Sequence, residues 1–82
     1  MEEIKVFTAT GCSNCMAVKD YLRKAGIEFC ECNVVESREA AEELKRLGYF
    51  SVPVVICGDK IIVGFNKAKL DELIAYCTQM AA

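Results

Sequence analysis

The stretch Thr8–Asp20, TATGCSNCMAVKD, sets Cys12 and Cys15 two residues apart, between an apolar run and an amphipathic one. A CxxC pair serves one of three chemistries: half of a metal site, a rung of a disulfide scaffold, or the reactive thiols of a redox protein. Upstream, Ile4–Thr8 is a short β-branched and aromatic run that reads as a strand, and Thr10–Gly11 turns the chain after it. Downstream, from Ser13 to Ala25, Val18, Tyr21, Leu22 and Ala25 recur at helical spacing. Lys19, Asp20, Arg23 and Lys24 are left for the solvent side, and Gly26 supplies a left-handed stop. The pair therefore sits where a strand passes into a helix.

The composition narrows the choice. With 82 residues the chain reads as one small domain, residues 1–82, and a domain of that size buries only about 60–70% of its unfolded surface. It is 54% hydrophobic and 27% charged, which is neither disordered nor low-complexity. Ten basic residues against twelve acidic ones give a net charge of -2, with the basic residues scattered, so a nucleic-acid partner is not expected. The opening MEEIKVF lacks the basic and apolar regions of a secretory signal. No apolar run approaches the ~20 residues of a membrane span, so no membrane partner is expected either. A cytoplasmic location is the expectation. There, six cysteines do not read as a secreted disulfide framework, and Cys12 and Cys15 read as catalytic or metal-binding.

The remaining chain alternates in type. Ile27–Val35 is a second strand candidate, giving a βαβ unit with parallel strands and a right-handed crossover. Ser37 can cap a second helix through Leu47, with Glu39 in its first turn, Ala40, Ala41, Leu44 and Leu47 as its stripe, and Gly48 as its stop. Val52–Cys57 and Lys60–Gly64 are β-rich runs separated by Gly58-Asp59, a two-residue turn suited to an antiparallel hairpin. Asn66 then caps a last helix along which Leu70, Leu73, Ile74 and Cys77 share a face. The expected order is β-α-β-α-β-β-α.

That order, with CxxC at the first strand-helix junction and the single proline at the third strand, resembles the thioredoxin-like superfamily. Within it the chain resembles the glutaredoxins and the related NrdH-type redoxins, from Ile4 to about Ile74. The motifs are VFTATGCSNC, then SVPVV where glutaredoxins commonly have T-V-P, then IIVGFNKAKLDEL where they have a Gly-containing loop leading to the last helix. The resemblance implies an α/β fold with a four-stranded mixed sheet flanked by three helices.

The residues suit disulfide exchange. The attacking species is a thiolate, while an ordinary cysteine, with a pKa of about 8.5, is mostly protonated at neutral pH. Backbone N–H groups and the dipole at a helix N-terminus favour an anion, and the second thiol of a CxxC can donate toward the first. Cys12 is thus the candidate nucleophile and Cys15, one turn into the helix, the candidate resolving thiol. Ser13 and Asn14 replace the Pro-Tyr common in glutaredoxins, and a serine hydroxyl there can reach the Cys12 sulfur. Pro53, read from the residues alone, is a strand-opening proline with a trans bond. The resemblance instead implies a cis Val52–Pro53 bond packed beside the CxxC, with the Val52 backbone pairing an extended substrate.

The resemblance further implies a glutathione-linked dithiol oxidoreductase acting on protein or glutathione mixed disulfides, with no tightly bound cofactor, glutathione as cosubstrate, and a monomeric state. Glutathione would lie against Ser51, Val52 and Pro53 and against Gly64, Phe65, Asn66 and Lys67, where helix N–H groups and the lysine offer a carboxylate site. Phe65 stands where a second glycine is usual, and Asn66-Lys67 where paired acids or Ser/Thr-Asp are usual. The basic residue frequent before the first cysteine is replaced by Ala9 and Thr10, with Arg38 and Lys45 as substitutes. Gly-Phe is a feature of the NrdH-type redoxins, which take electrons from thioredoxin reductase, and this is the alternative donor. A third alternative is metal handling, including a two-iron, two-sulfur cluster shared between subunits. Cys30 and Cys32 lie on one face of a strand and can form a soft metal pair or a second disulfide; the reading adopted is Cys32 in the core and Cys30 nearer the surface. Cys57 and Cys77 read as packing residues.

Overall fold

The computed structural model describes residues 4–80, so the outermost residues of the expected domain lie outside it. In chain order the elements are β1 (Ile4–Thr8), α1 (Ser13–Lys24), β2 (Cys30–Asn33), α2 (Arg38–Arg46), β3 (Val54–Cys57), β4 (Lys60–Val63) and α3 (Lys67–Met80). They form one four-stranded sheet in the order β2-β1-β3-β4. β1 pairs in parallel with β2, from Lys5↔Cys30 to Thr8↔Asn33, and antiparallel with β3, from Ile4↔Cys57 to Phe7↔Val54. β4 closes the hairpin onto β3 around Gly58-Asp59. This is the mixed sheet of the thioredoxin-like fold.

Alternation along the strands divides the core between two faces. Ile4 and Val6 of β1, with Val55 and Cys57 of β3 and Ile62 of β4, meet Val18 and Leu22 of α1 and Leu70, Leu73 and Cys77 of α3. Phe7 and Val54 point the other way, onto Ala40 and Leu44 of α2. Helices thus cover both faces, as a parallel crossover requires.

Both α1 and α2 stop in the same way. Gly26 (φ 74) and Gly48 (φ 88) adopt the left-handed conformation, which a Cβ would oppose. The Gly26 and Ile27 amides donate to the Arg23 and Leu22 carbonyls, and those of Gly48 and Tyr49 to Lys45 and Leu44. Each pair is a Schellman closure. It also corrects two stripe assignments: Ala25 and Leu47 are the C-cap residues, turned out of the packed face, and Leu47 is 43% exposed.

The second strand is shorter than Ile27–Val35. Its start is delayed because the Ile27 amide is spent on closing α1. It ends because the Asn33 side-chain oxygen accepts from the Val35 and Glu36 amides, at 2.9 and 3.1 Å, folding a β-branched dipeptide into a turn. β3 begins at Val54, after the proline that has no amide to give the ladder. Cys57 and Cys77 pack as expected but are also joined as a disulfide, with Cα atoms 6.6 Å apart. No spacing rule links the last residue of a strand to a helix position 20 residues later, so the sequence reading stopped at packing.

Leu22→Ala, at a fully buried position, should cost about 2–5 kcal/mol, whereas Leu47→Ala should cost less than about 1 kcal/mol. Urea unfolding midpoints of the two variants check the contrast.

Candidate active site

The ends of β1, β2 and β4 and the start of β3 lie at one end of the sheet, as their pairing requires. From this end Ala9–Gly11 lead out of β1, and Cys12 takes up the N-cap of α1 in an extended conformation (φ -87, ψ 112). Its sulfur accepts a hydrogen bond from the Cys15 amide at 3.2 Å, its own amide donates to the Ala9 carbonyl, and its carbonyl starts the helix by accepting from Met16. A thiol thus stands where serine or aspartate ordinarily caps a helix. Ser13 and Asn14 are exposed on the first turn; the Cys12 sulfur accepts from the Cys15 amide, whereas the sequence suggested the Ser13 hydroxyl as its donor.

The two sulfurs differ in access. Cys12 is half-buried, while Cys15 is 1% exposed. Burial pushes the Cys15 thiol up to about 11, and its hydrogen bond and proximity to Cys12 push the same way; a backbone hydrogen bond at Ala9 and the charge of Lys19 pull it down.

Other sequence-designated residues gather at the same end. Since Phe7 pairs with Val54, Pro53 stands level with Thr8, and the Val52–Pro53 bond is cis. The Gly64 amide donates to the Pro53 carbonyl at 2.8 Å, tying the segment before α3 to the proline. The Asn66 side chain accepts from the Lys69 amide at 3.1 Å, capping α3 as expected, and Lys67 is exposed at its first position. Phe65 packs against Tyr21 of α1 edge to face, with ring centroids 6.2 Å apart. The Tyr21 hydroxyl donates to Asp71 of α3, a bond that raises the phenol's pKa. Ser51 and Val52 border an apolar crevice with Tyr49, Phe50 and Leu44; Phe50 is 82% exposed. Of the substitute cations, Lys45 borders this crevice, whereas Arg38 is exposed at the start of α2.

Beside Cys12, an open cleft of about 870 Å³ runs toward β2 and α2 and includes Cys15, Lys19, Glu31 and Cys32 in its walls. The sequence reading left Lys19 to solvent and made nothing of Glu31. In the fold Lys19 Nζ lies 3.0 Å from Glu31 Oε2, which also accepts from the Thr8 hydroxyl at 2.8 Å. These contacts hold the Glu31 carboxyl below its ordinary range. The available signal was the position of Lys19, one helical turn beyond Cys15 on the same face. Cys30 is exposed and Cys32 half-buried against the α2-side core, as expected; burial, then the neighbouring Cys30, pushes the Cys32 thiol up to about 11.

The family model for glutaredoxin matches residues 4–62. A glutaredoxin-like 8.6 kDa protein from the rubredoxin operon of Clostridium pasteurianum is 40% identical over 72 residues, 87% of this chain and 96% of its own. The glutaredoxin-like protein NrdH of Escherichia coli (strain K12) is 36% identical over 70 residues, 85% of this chain and 86% of that one. Among solved structures, the glutaredoxin-like NrdH-redoxin from Escherichia coli, described as having a thioredoxin-like activity profile, aligns with a TM-score of 0.79 at 35% identity, covering 87% of this chain and 93% of that one. Among the described residues, no helix is long and apolar enough to cross a membrane.

Alkylation reports thiolate and access together. With Cys12 and Cys15 reduced and the Cys57–Cys77 bond intact, iodoacetamide at pH 7 should modify Cys15 and Cys32 last of the four free cysteines, and both should gain rate as the pH rises toward about 11. Peptide mass mapping over a pH series checks this.

Proposed function

The chain belongs to the glutaredoxin family and is close to the NrdH-type redoxins, and on that premise we propose that it is a dithiol thiol-disulfide oxidoreductase. The observation that carries the reading is the pairing of an accessible Cys12 at the cap of α1 with a buried Cys15 whose amide donates to its sulfur. The Cys12 thiolate attacks one sulfur of a substrate disulfide; a Cys12–substrate bond forms, and the other substrate sulfur leaves and takes a proton. The Cys15 thiolate then attacks Cys12 Sγ, closing the internal disulfide and releasing the second substrate thiol. Two electrons pass from the cysteine pair to the substrate. Ser51–Pro53 and the exposed Phe50 form the wall along which an extended, disulfide-bearing protein segment lies, with the Val52 backbone offering pairing groups.

For the donor that reduces the pair again, the likeness to NrdH proteins supports a thioredoxin-reductase-type flavoprotein. Two features of the α3 approach accord with it: Phe65 is packed on Tyr21, and the Asn66 side chain is occupied in capping. Glutathione is the second reading, favoured by the exposed Lys67 at the start of α3, where a cation and first-turn amides suit a carboxylate.

With NADPH and thioredoxin reductase the protein should reduce a disulfide substrate faster than with NADPH, glutathione and glutathione reductase; the reverse ranking selects the second reading. Cys12→Ser should lower either activity by more than about a hundredfold. Cys15→Ser should retain capture and accumulate a mixed disulfide on Cys12, seen by intact mass after acid quench. Retained turnover in Cys12→Ser overturns the proposal.

A further inference from the structure

Thr8 is the buried polar side chain among the described residues, and its hydroxyl is spent on Glu31. The same carboxylate oxygen receives Lys19, so a strand hydroxyl, an edge-strand acid and a helix lysine share one acceptor. Exposed ion pairs contribute little because two long side chains must be ordered in water. Here the side chains of Lys19 and Glu31 are only 20% and 35% exposed, and Thr8 fixes the acid from below. The lysine is therefore held, one turn past Cys15, in the wall of the cleft that Cys12 and Cys15 also line.

The charges around that cleft are unbalanced. Glu31 of β2, Glu36 of the β2–α2 turn, and Glu39 and Glu43 of α2 line it; Glu43 is paired at 3.2 Å with Lys5 of β1, and Lys19 is the one lysine or arginine in the lining among the described residues. Arg23, further along α1, acts on Glu31. On the same helix, Cys12 is the other ionisable group beside Cys15. We infer that Lys19 favours the Cys15 thiolate during resolution, countering the acidic cleft and the burial of the sulfur, with Glu31 and Thr8 holding it in place. The inference rests on the exchange chemistry proposed above. In the mixed disulfide Cys12 carries no charge, so its upward push on Cys15 is gone; burial still raises the thiol, and the backbone hydrogen bond at Ala9 and the charge of Lys19 oppose it.

The test uses the full chain with Cys30→Ser, which removes an exposed thiol, and 2-hydroxyethyl disulfide, a neutral substrate independent of the electron donor. Cys12 attack leaves a mercaptoethanol adduct. Cys15 attack on Cys12 Sγ then releases 2-mercaptoethanol and leaves the internal disulfide. Acid-quenched intact mass follows the adduct's appearance and decay separately, and peptide mapping locates it. Lys19→Met, conservative for a helix surface, should leave adduct formation unchanged and lengthen the adduct's lifetime about threefold to tenfold at pH 7. The decay rate should rise with pH along a profile displaced to higher pH, and Lys19→Arg should restore the parent profile. A Lys19→Met lifetime and pH profile equal to the parent's overturn the inference while leaving the exchange reading intact. A parent that forms no adduct on Cys12 overturns the exchange reading and this inference with it.

Discussion

Strand β1 is hydrogen-bonded along both edges, and the molecule is organised around that condition. Its parallel partner must arrive through a crossover, which is α1, while its antiparallel partner must enter from the opposite direction, which puts Val52–Pro53 at the end where β1 stops. The residues of β1 also divide the core: Ile4 and Val6 are committed to α1 and α3, and Phe7 to α2. A register slip of one residue would exchange those faces and turn the charge of Lys5 inward. It would also carry the cap of α1 away from the proline.

The sheet end that results is chemically asymmetric. At this end the Gly64 amide is tied to Pro53, and Phe65 rests on Tyr21 of α1, which in turn is bonded to Asp71 of α3. The cleft beside Cys12 runs toward β2 and α2, and its walls carry four glutamates with Lys19 as the one lysine or arginine among the described residues.

Much of this was legible in the residues because it rests on local rules. Cys12 and Ser37 sit at helix starts, Gly26 and Gly48 at helix stops, and Gly58-Asp59 at a hairpin, and each obeys chemistry confined to a few neighbours. Periodicity likewise identified Val18, Leu22, Leu70, Leu73 and Cys77. The failures share a cause. Val34 and Val35 have strand propensity, but the Asn33 side chain competes for the backbone; Ala25 and Leu47 keep helical spacing, but the chain is already leaving the helix there. The Lys19–Glu31–Thr8 cluster and the Cys57–Cys77 link join residues from separate elements, and periodicity within one element carries no information about which side chains face each other across the sheet. The proline geometry was reached through family resemblance, since the residues alone favoured an ordinary trans bond.

The burial of Cys15 has a consequence for molecularity. Cys15, a residue with 1% of its surface exposed, is out of reach of a protein partner, so under the proposed chemistry every encounter begins at Cys12 and forms a single covalent bond. Release then occurs within one molecule, as a first-order event indifferent to how much partner is present. A scarce or poorly fitting substrate slows the encounter alone, and the time spent tethered to any partner is governed from inside the helix that holds both thiols.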